Sequence, residues 1–160
     1  ALVANSYDFK TSLNAVVADH ENERRFIKEL ISADNLPHIK AWIKSTPMGF
    51  YEIDYSWKKG EHPKRSKFNP DFFIKTDKLI LVVEIKDDEE IRDPSPENKK
   101  KNEYTLAHLE RINAYLRKKH AAVIYKFNFL TPSDFNSYFQ SVRDGSIVNF
   151  RSALDVELEK

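Results

Sequence analysis

Cysteine is absent from this chain, which removes disulfides, thiol catalysis and thiolate zinc sites together and leaves oxygen or imidazole to hold any metal. No apolar stretch approaches the ~20 residues that a membrane helix needs, and the N-terminal residues lack the charged-then-apolar layout of a secretion signal. These absences predict a soluble, cytoplasmic protein. Neither sign of charge is in excess: 26 Lys and Arg stand against 25 Asp and Glu, a net of +1, whereas a dedicated nucleic-acid binder carries a clear basic surplus. No internal repeat or low-complexity segment stands out. What is present, 160 residues with 41% hydrophobic content, suits one domain with a real core.

The charges are unevenly placed. Lys58, Lys59, His62, Lys64, Arg65 and Lys67 precede Asp71, and Lys99, Lys100 and Lys101 follow the acidic run Asp87, Asp88, Glu89, Glu90. Basic flanks around an acidic centre suit a phosphodiester substrate, although solvated loops and faces explain each run equally well when it is judged alone.

Pro70-Asp71 and Glu84-Ile85-Lys86 are the most informative segments. They sit at the outer ends of two runs, 68–75 and 79–86, dense in Phe, Ile, Leu and Val and separated by Thr76-Asp77-Lys78, which predicts a β-hairpin. If the loop is symmetric about Asp77-Lys78, Lys75 faces Ile80, Phe73 faces Val82 and Asp71 faces Glu84. Opposed carboxylates about 5 Å apart at Cβ repel each other unless something neutralises them, and a divalent cation does so. Period-2 geometry puts Lys86 on the face of Glu84. The Asp77-Lys78 turn lacks the Gly that a two-residue primed turn prefers, which leaves the register open: a three-residue loop would set Val83 opposite Asp71, and a four-residue loop restores the Asp71–Glu84 pairing.

Around this hairpin the pattern predicts a helix over 19–32 with Asp19 as cap and Phe26, Ile27, Leu30 and Ile31 on its apolar face. Glu23 lies in the middle of that face, so it is either a rim glutamate or a carboxylate that is capping, paired, neutral or near a metal. Residues 38–44 and 50–55 read as strands, and 56–67 as a polar, basic loop. Ser95 caps a helix running to about 119 with Pro96 in its first position. Its stripe of Thr105, Leu109, Ile112 and Leu116 extends back to Asn102 and Asn98, with Lys101 beside it. A buried strand over 121–130 follows, then a helix carrying Phe135, Tyr138, Phe139 and Val142 and closed by Gly145. The core spans about 17–143, and 144–160 is a C-terminal extension. This order implies an α/β domain whose central mixed sheet is flanked by helices on both faces. Phe72, Ile74, Leu81, Val83 and Ile85 belong to one face, and Phe73, Ile80 and Val82 to the other.

Pro70-Asp71, the thirteen-residue step to Glu84, and Glu84-Ile85-Lys86 resemble the PD-(D/E)XK nuclease superfamily, whose restriction-endonuclease-like core is αβββαβ. More narrowly, Glu23-Arg24-Arg25-Phe26, Ala41-Trp42-Ile43-Lys44, Phe68-Asn69-Pro70-Asp71-Phe72, Val82-Val83-Glu84-Ile85-Lys86 and Ala107-His108-Leu109-Glu110-Arg111-Ile112-Asn113 are similar to the nuclease domain of type III restriction subunits and related helicase-nuclease proteins. The sequence departs from that pattern at Asp87-Asp88, where related domains often have a Gly. The resemblance implies a metal-dependent DNA endonuclease. Mg²⁺ or Mn²⁺ would be held by Asp71, Glu84 and the Ile85 carbonyl, with Glu23 binding directly, through water, or by holding Lys86. Lys86 would orient a water or neutralise the transition state. Lys64, Arg65, Lys67, Lys101 and Asn102 are candidate nucleic-acid contacts. Expected partners are DNA and, since the chain starts at Ala1, the remainder of a larger polypeptide such as a helicase motor. A dimer on DNA belongs to the same expectation, because cutting both strands calls for two sites. Two rival readings stand beside this one. The first is a catalytically silent module of the same fold that binds nucleic acid or assembles proteins, and the second is a surface ion pair of Lys86 with a hairpin carboxylate. A zinc hydrolase is weaker, since His20, His38, His62, His108 and His120 show no pair at ligand spacing.

Overall fold

In the computed structural model, which describes residues 2–4, 10–11, 15–46, 49–59 and 62–160, the apolar runs form strands and the 3.6-period segments form helices. In chain order the elements are β1 (Leu2–Ala4), β2 (Ala15–Val17), α1 (Glu21–Leu30), β3 (Ala41–Lys44), β4 (Ile53–Lys59), β5 (His62–Phe68), β6 (Phe72–Lys75), β7 (Leu79–Ile85), α2 (Pro96–Lys118), β8 (Ile124–Leu130), α3 (Phe135–Asp144) and α4 (Ala153–Leu158). The central mixed sheet has the order β3-β6-β7-β8, antiparallel except for the parallel β7–β8 pair. β1 and β2 form a separate ribbon, as do β4 and β5.

The β6–β7 hairpin has the register of the symmetric turn: Phe72 pairs with Val83, Phe73 with Val82, Ile74 with Leu81 and Lys75 with Ile80. Thr76 closes the turn without glycine. Its backbone N–H donates to the Leu79 carbonyl (2.9 Å), and its hydroxyl accepts from the Leu79 N–H (3.1 Å).

Because side chains alternate across a strand, this register separates two apolar layers. Phe72, Ile74, Leu81, Val83 and Ile85 face α1 and α3, where Phe26 packs its ring 5.0 Å from Phe72, 5.2 Å from Phe135 and 5.1 Å from Phe139. Phe73, Val82, Phe127 and Phe129 face α2, α4 and the β4–β5 ribbon through Leu109, Leu154, Leu158, Ile53, Tyr55 and Phe68. β7 is buried almost throughout, as a strand covered on both faces must be. Among the described residues no helix is long and apolar enough to cross a membrane.

The structure corrects the sequence reading in several places, among them the strand expected over 121–130, which starts at Ile124. The 56–67 loop is a ribbon, registered from Ile53↔Phe68 to Lys59↔His62. Tyr55 fastens it to α2 by donating its hydroxyl to Glu97 (2.5 Å). The strand expected over 38–44 shortens to β3, because Leu36-Pro37-His38 turns as a 3₁₀ helix. The strand expected over 50–55 starts and ends later, as β4. His20 rather than Asp19 precedes α1, with the Glu23 carboxylate accepting from the N–H groups of both Asp19 (2.7 Å) and His20 (3.4 Å).

At the N-terminus of α2 the Ser95 hydroxyl accepts from the Asn98 N–H (3.2 Å), as the Ser-Pro start implies. Residues 144–160 join the core. Gly145, at φ 80°, ends α3 in the left-handed region that suits glycine. Leu154 and Leu158 of α4 are buried, and Asp155 accepts from the Phe129 N–H (2.8 Å) and the Asn128 amide (2.6 Å) of β8.

Candidate active site

Beyond the last apolar pair of the β6–β7 hairpin the strands end in charge. Asp71 immediately precedes β6. Its carbonyl accepts from the Ser45 N–H just past β3 (2.8 Å), and its carboxylate accepts from the Ile85 N–H at the end of β7 (2.7 Å). The side chain is therefore held across the strand ends toward Glu84. Glu84 is 6% exposed. One of its oxygens accepts from the Lys86 ammonium (2.6 Å), while the other is buried and has no hydrogen-bond partner among the described residues. Lys86 is itself fixed by its backbone, which donates to the Leu130 carbonyl (2.8 Å) and continues the β7–β8 pairing by one step.

This crowding shows in the protonation equilibria. Burial, and next the charge of Glu84, push the Asp71 carboxyl well above its ordinary range, against the opposing pull of the Ile85 N–H and Lys86. Burial alone would make Lys86 easier to deprotonate, but Glu84, Asp71 and Glu90 outweigh it and raise its pKa. Lys86 remains a cation.

Glu23, Lys44, Asp71, Glu84, Ile85 and Lys86 line one cleft of about 670 Å³. Glu23 stands on its wall, as the helical pattern indicated. Both of its oxygens are engaged: one meets the Asp19 and His20 N–H groups, and the other pairs with Lys44 (3.3 Å). Lys86 bonds to Glu84 rather than to Glu23. Among the described residues no group of three or more His, Asp or Glu is arranged to hold a metal. Of the carboxylates on this cleft, Asp71 and Glu84 lie together at the strand ends, and Glu84 has a buried oxygen with no hydrogen-bond partner among the described residues.

The remaining candidate residues lie elsewhere. Lys64, Arg65 and Lys67 are exposed on β5, with Lys64 over the Trp57 ring (5.8 Å) and Lys67 paired to Glu52 (2.6 Å). Lys101 packs over the rings of Tyr55 and Phe68 and pairs with Glu97 (3.5 Å). Asn102 is 3% exposed within α2, outside the cleft.

Two contributors were not singled out from sequence. Lys44 sits at the end of a four-residue strand, where nothing in the pattern distinguishes a buried lysine from a solvated one. Tyr55 has its phenol pushed up to about 12, chiefly by burial and then by its bond to Glu97, with the Glu84 charge adding to the shift. Asn69, directly after β5, lines the cleft and brings the base of the β4–β5 ribbon beside it. No family model, curated protein or solved structure matches the chain.

Proposed function

We propose that this chain is a divalent-metal-dependent nuclease domain that hydrolyses phosphodiester bonds in DNA on a restriction-endonuclease-like αβββαβ core. The observation that carries the reading is the convergence of Asp71, Glu84 and Lys86 at the open end of one strand pair, with a Glu84 oxygen buried and unpaired. The chain order α1, β3, β6, β7, α2, β8 supports it, since it has the sequence of elements that the motif resemblance implies, with the β4–β5 ribbon inserted after the first strand.

The donor set is hard oxygen, which suits Mg²⁺ or Mn²⁺. Asp71, Glu84 and the Ile85 carbonyl would hold the ion. When bound, such an ion polarises a phosphoryl oxygen and acidifies water. The protein's own residues supply the rest. The Lys86 ammonium, kept charged by Glu84, neutralises charge developing on the phosphoryl group. The Glu23–Lys44 pair fixes the start of α1 against β3 and so holds the cleft wall.

Cleavage of supercoiled plasmid and labelled single-stranded DNA with Mg²⁺, Mn²⁺ or EDTA tests the reading, alongside Asp71→Ala and Lys86→Ala. Metal-dependent cleavage abolished by both substitutions supports it. Folded wild-type protein inactive with either metal overturns it in favour of a catalytically silent module, and cleavage surviving both substitutions assigns the activity to another site.

A further inference from the structure

The β4–β5 ribbon is one of the two most basic elements in this protein, the other being α2. Of the 26 Lys and Arg and 25 Asp and Glu, the ribbon over 53–68 carries five and two, so the rest of the chain is net negative. Strand alternation sorts them. Tyr55 and Trp57 pack inward against α2, whereas Lys58 of β4 and Arg65 of β5 alternate away from them and are exposed, with Ser56, the cross-strand partner of Arg65, bonded to Tyr104 of α2 (2.8 Å). Among the described residues neither Lys58 nor Arg65 has a carboxylate partner, in contrast to Lys67 with Glu52 and Lys101 with Glu97.

The ribbon also has a direction. Tyr51, just before β4, bonds to His108 (2.5 Å), while Tyr55, further along, bonds to Glu97. Lys64 adds its charge to those holding Glu97 below the usual carboxylate range. β4 therefore runs along α2 toward its N-terminal end, where Glu90 bonds to Ser95 and Asn98 and shares its field with Lys86. At the other strand, Phe68 leads through Asn69 and Pro70 directly into Asp71.

We propose that the β4–β5 ribbon grips the phosphate backbone of duplex DNA and seats the helix across the cleft, with Lys58 and Arg65 as the contacts. This rests on the nuclease reading for the point of cleavage. Seven-residue strands reach roughly 20 Å, about six base pairs of B-form duplex. A two-stranded ribbon fits the ~12 Å major groove. Of its outward positions, Asp54, Ser56, Lys58, Pro63, Arg65 and Lys67, only Lys58 and Arg65 are cations without a carboxylate partner among the described residues, which leaves them to meet phosphate oxygens. Trp57 is half-buried under Lys64 and offers no open ring for stacking a single strand.

The test is fluorescence anisotropy of the full chain with a labelled 24-base-pair duplex of arbitrary sequence, in EDTA, across a salt series. Lys58→Glu/Arg65→Glu is compared with wild type, and Lys58→Gln/Arg65→Gln serves as a milder pair should charge reversal disturb folding. Loss of two phosphate contacts lowers the salt slope by roughly 1.8 and weakens binding about tenfold or more at low salt. Unchanged affinity and slope in both pairs overturn the grip, as does a wild type that does not bind duplex, or one that holds the corresponding single strand equally well. Hydrolysis of bis(p-nitrophenyl) phosphate with Mn²⁺, a diester too small to reach the ribbon, is read in parallel. Hydrolysis retained with duplex affinity unchanged removes the grip and leaves the nuclease; no hydrolysis, but ribbon-dependent duplex binding, removes the nuclease and leaves the grip.

Discussion

Lys44 and Glu23 meet at 3.3 Å with side chains only 6% and 7% exposed, so the cleft wall rests on a nearly dry ion pair. Removing one partner of such a pair leaves the other buried and uncompensated, which costs far more than losing a surface bridge. Lys44→Met is expected to lower stability by about 3 kcal/mol in urea unfolding. Glu23→Gln keeps an acceptor for the Asp19 and His20 N–H groups, so Lys44→Met made on that background should cost clearly less. Equal costs in the two backgrounds would show that the pair is not coupled.

The Asp71 carboxylate is disfavoured by burial and by Glu84. Asp71→Asn retains an oxygen for the Ile85 N–H and removes the repulsion, so the metal-free variant should be more stable than wild type by on the order of 1 kcal/mol. The same substitution should abolish any rise in Tm on adding Mg²⁺ or Mn²⁺. Scanning fluorimetry of both proteins with and without metal reads both effects. A wild type unmoved by either ion counts against the metal site.

Glu90 accepts from the Ser95 N–H and the Asn98 amide (both 2.7 Å). Burial alone would raise its pKa, but these bonds and the Lys86 charge hold it below the ordinary value. A carboxylate depressed in the folded state stabilises fully above its unfolded pKa of about 4.3 and loses that contribution as the pH falls through the folded value. Wild type should therefore lose stability between pH 5 and pH 3 more steeply than Glu90→Gln. Urea midpoints across that range give the comparison, and parallel curves would remove Glu90 from the acid response.

Asp155 receives the Phe129 N–H, the Asn128 amide and the Ser152 N–H (3.0 Å) in a buried setting. Asp155→Ala strands these donors, at a cost of roughly 2–3 kcal/mol. The Phe129 amide should then exchange with solvent much faster, because α4 no longer shields β8. An unchanged exchange rate would mean that packing by Leu154 and Leu158 alone holds the helix.

Much of the fold was legible because its signals are local. The period-2 runs on either side of Thr76-Asp77-Lys78 imply a pairing, and the pairing separates Phe72 from Phe73 into opposite layers. Ser95-Pro96 marks a helix start through one hydroxyl and one fixed φ. The β4–β5 ribbon was hidden for the converse reason. The β5 partners of Tyr55 and Trp57 are Ser66 and Lys64, so one strand shows no apolar alternation and reads as a solvated loop. Its order comes from Tyr55 packing against Glu97 and Lys101 of α2, contacts more than 40 residues apart in sequence.

The sequence by itself determined the β6–β7 hairpin and narrowed its register to alternatives, of which the symmetric turn sets Asp71 toward Glu84 with Lys86 alongside, since backbone periodicity and turn chemistry act over a few residues. Only the tertiary structure decided that Lys44 rather than Lys86 answers Glu23, that Asn102 is buried away from the cleft, and that 144–160 closes the sheet rather than trailing from it. Those outcomes depend on which side chains lose water together, and desolvation is a property of the assembled layers with no short-range signature in the chain.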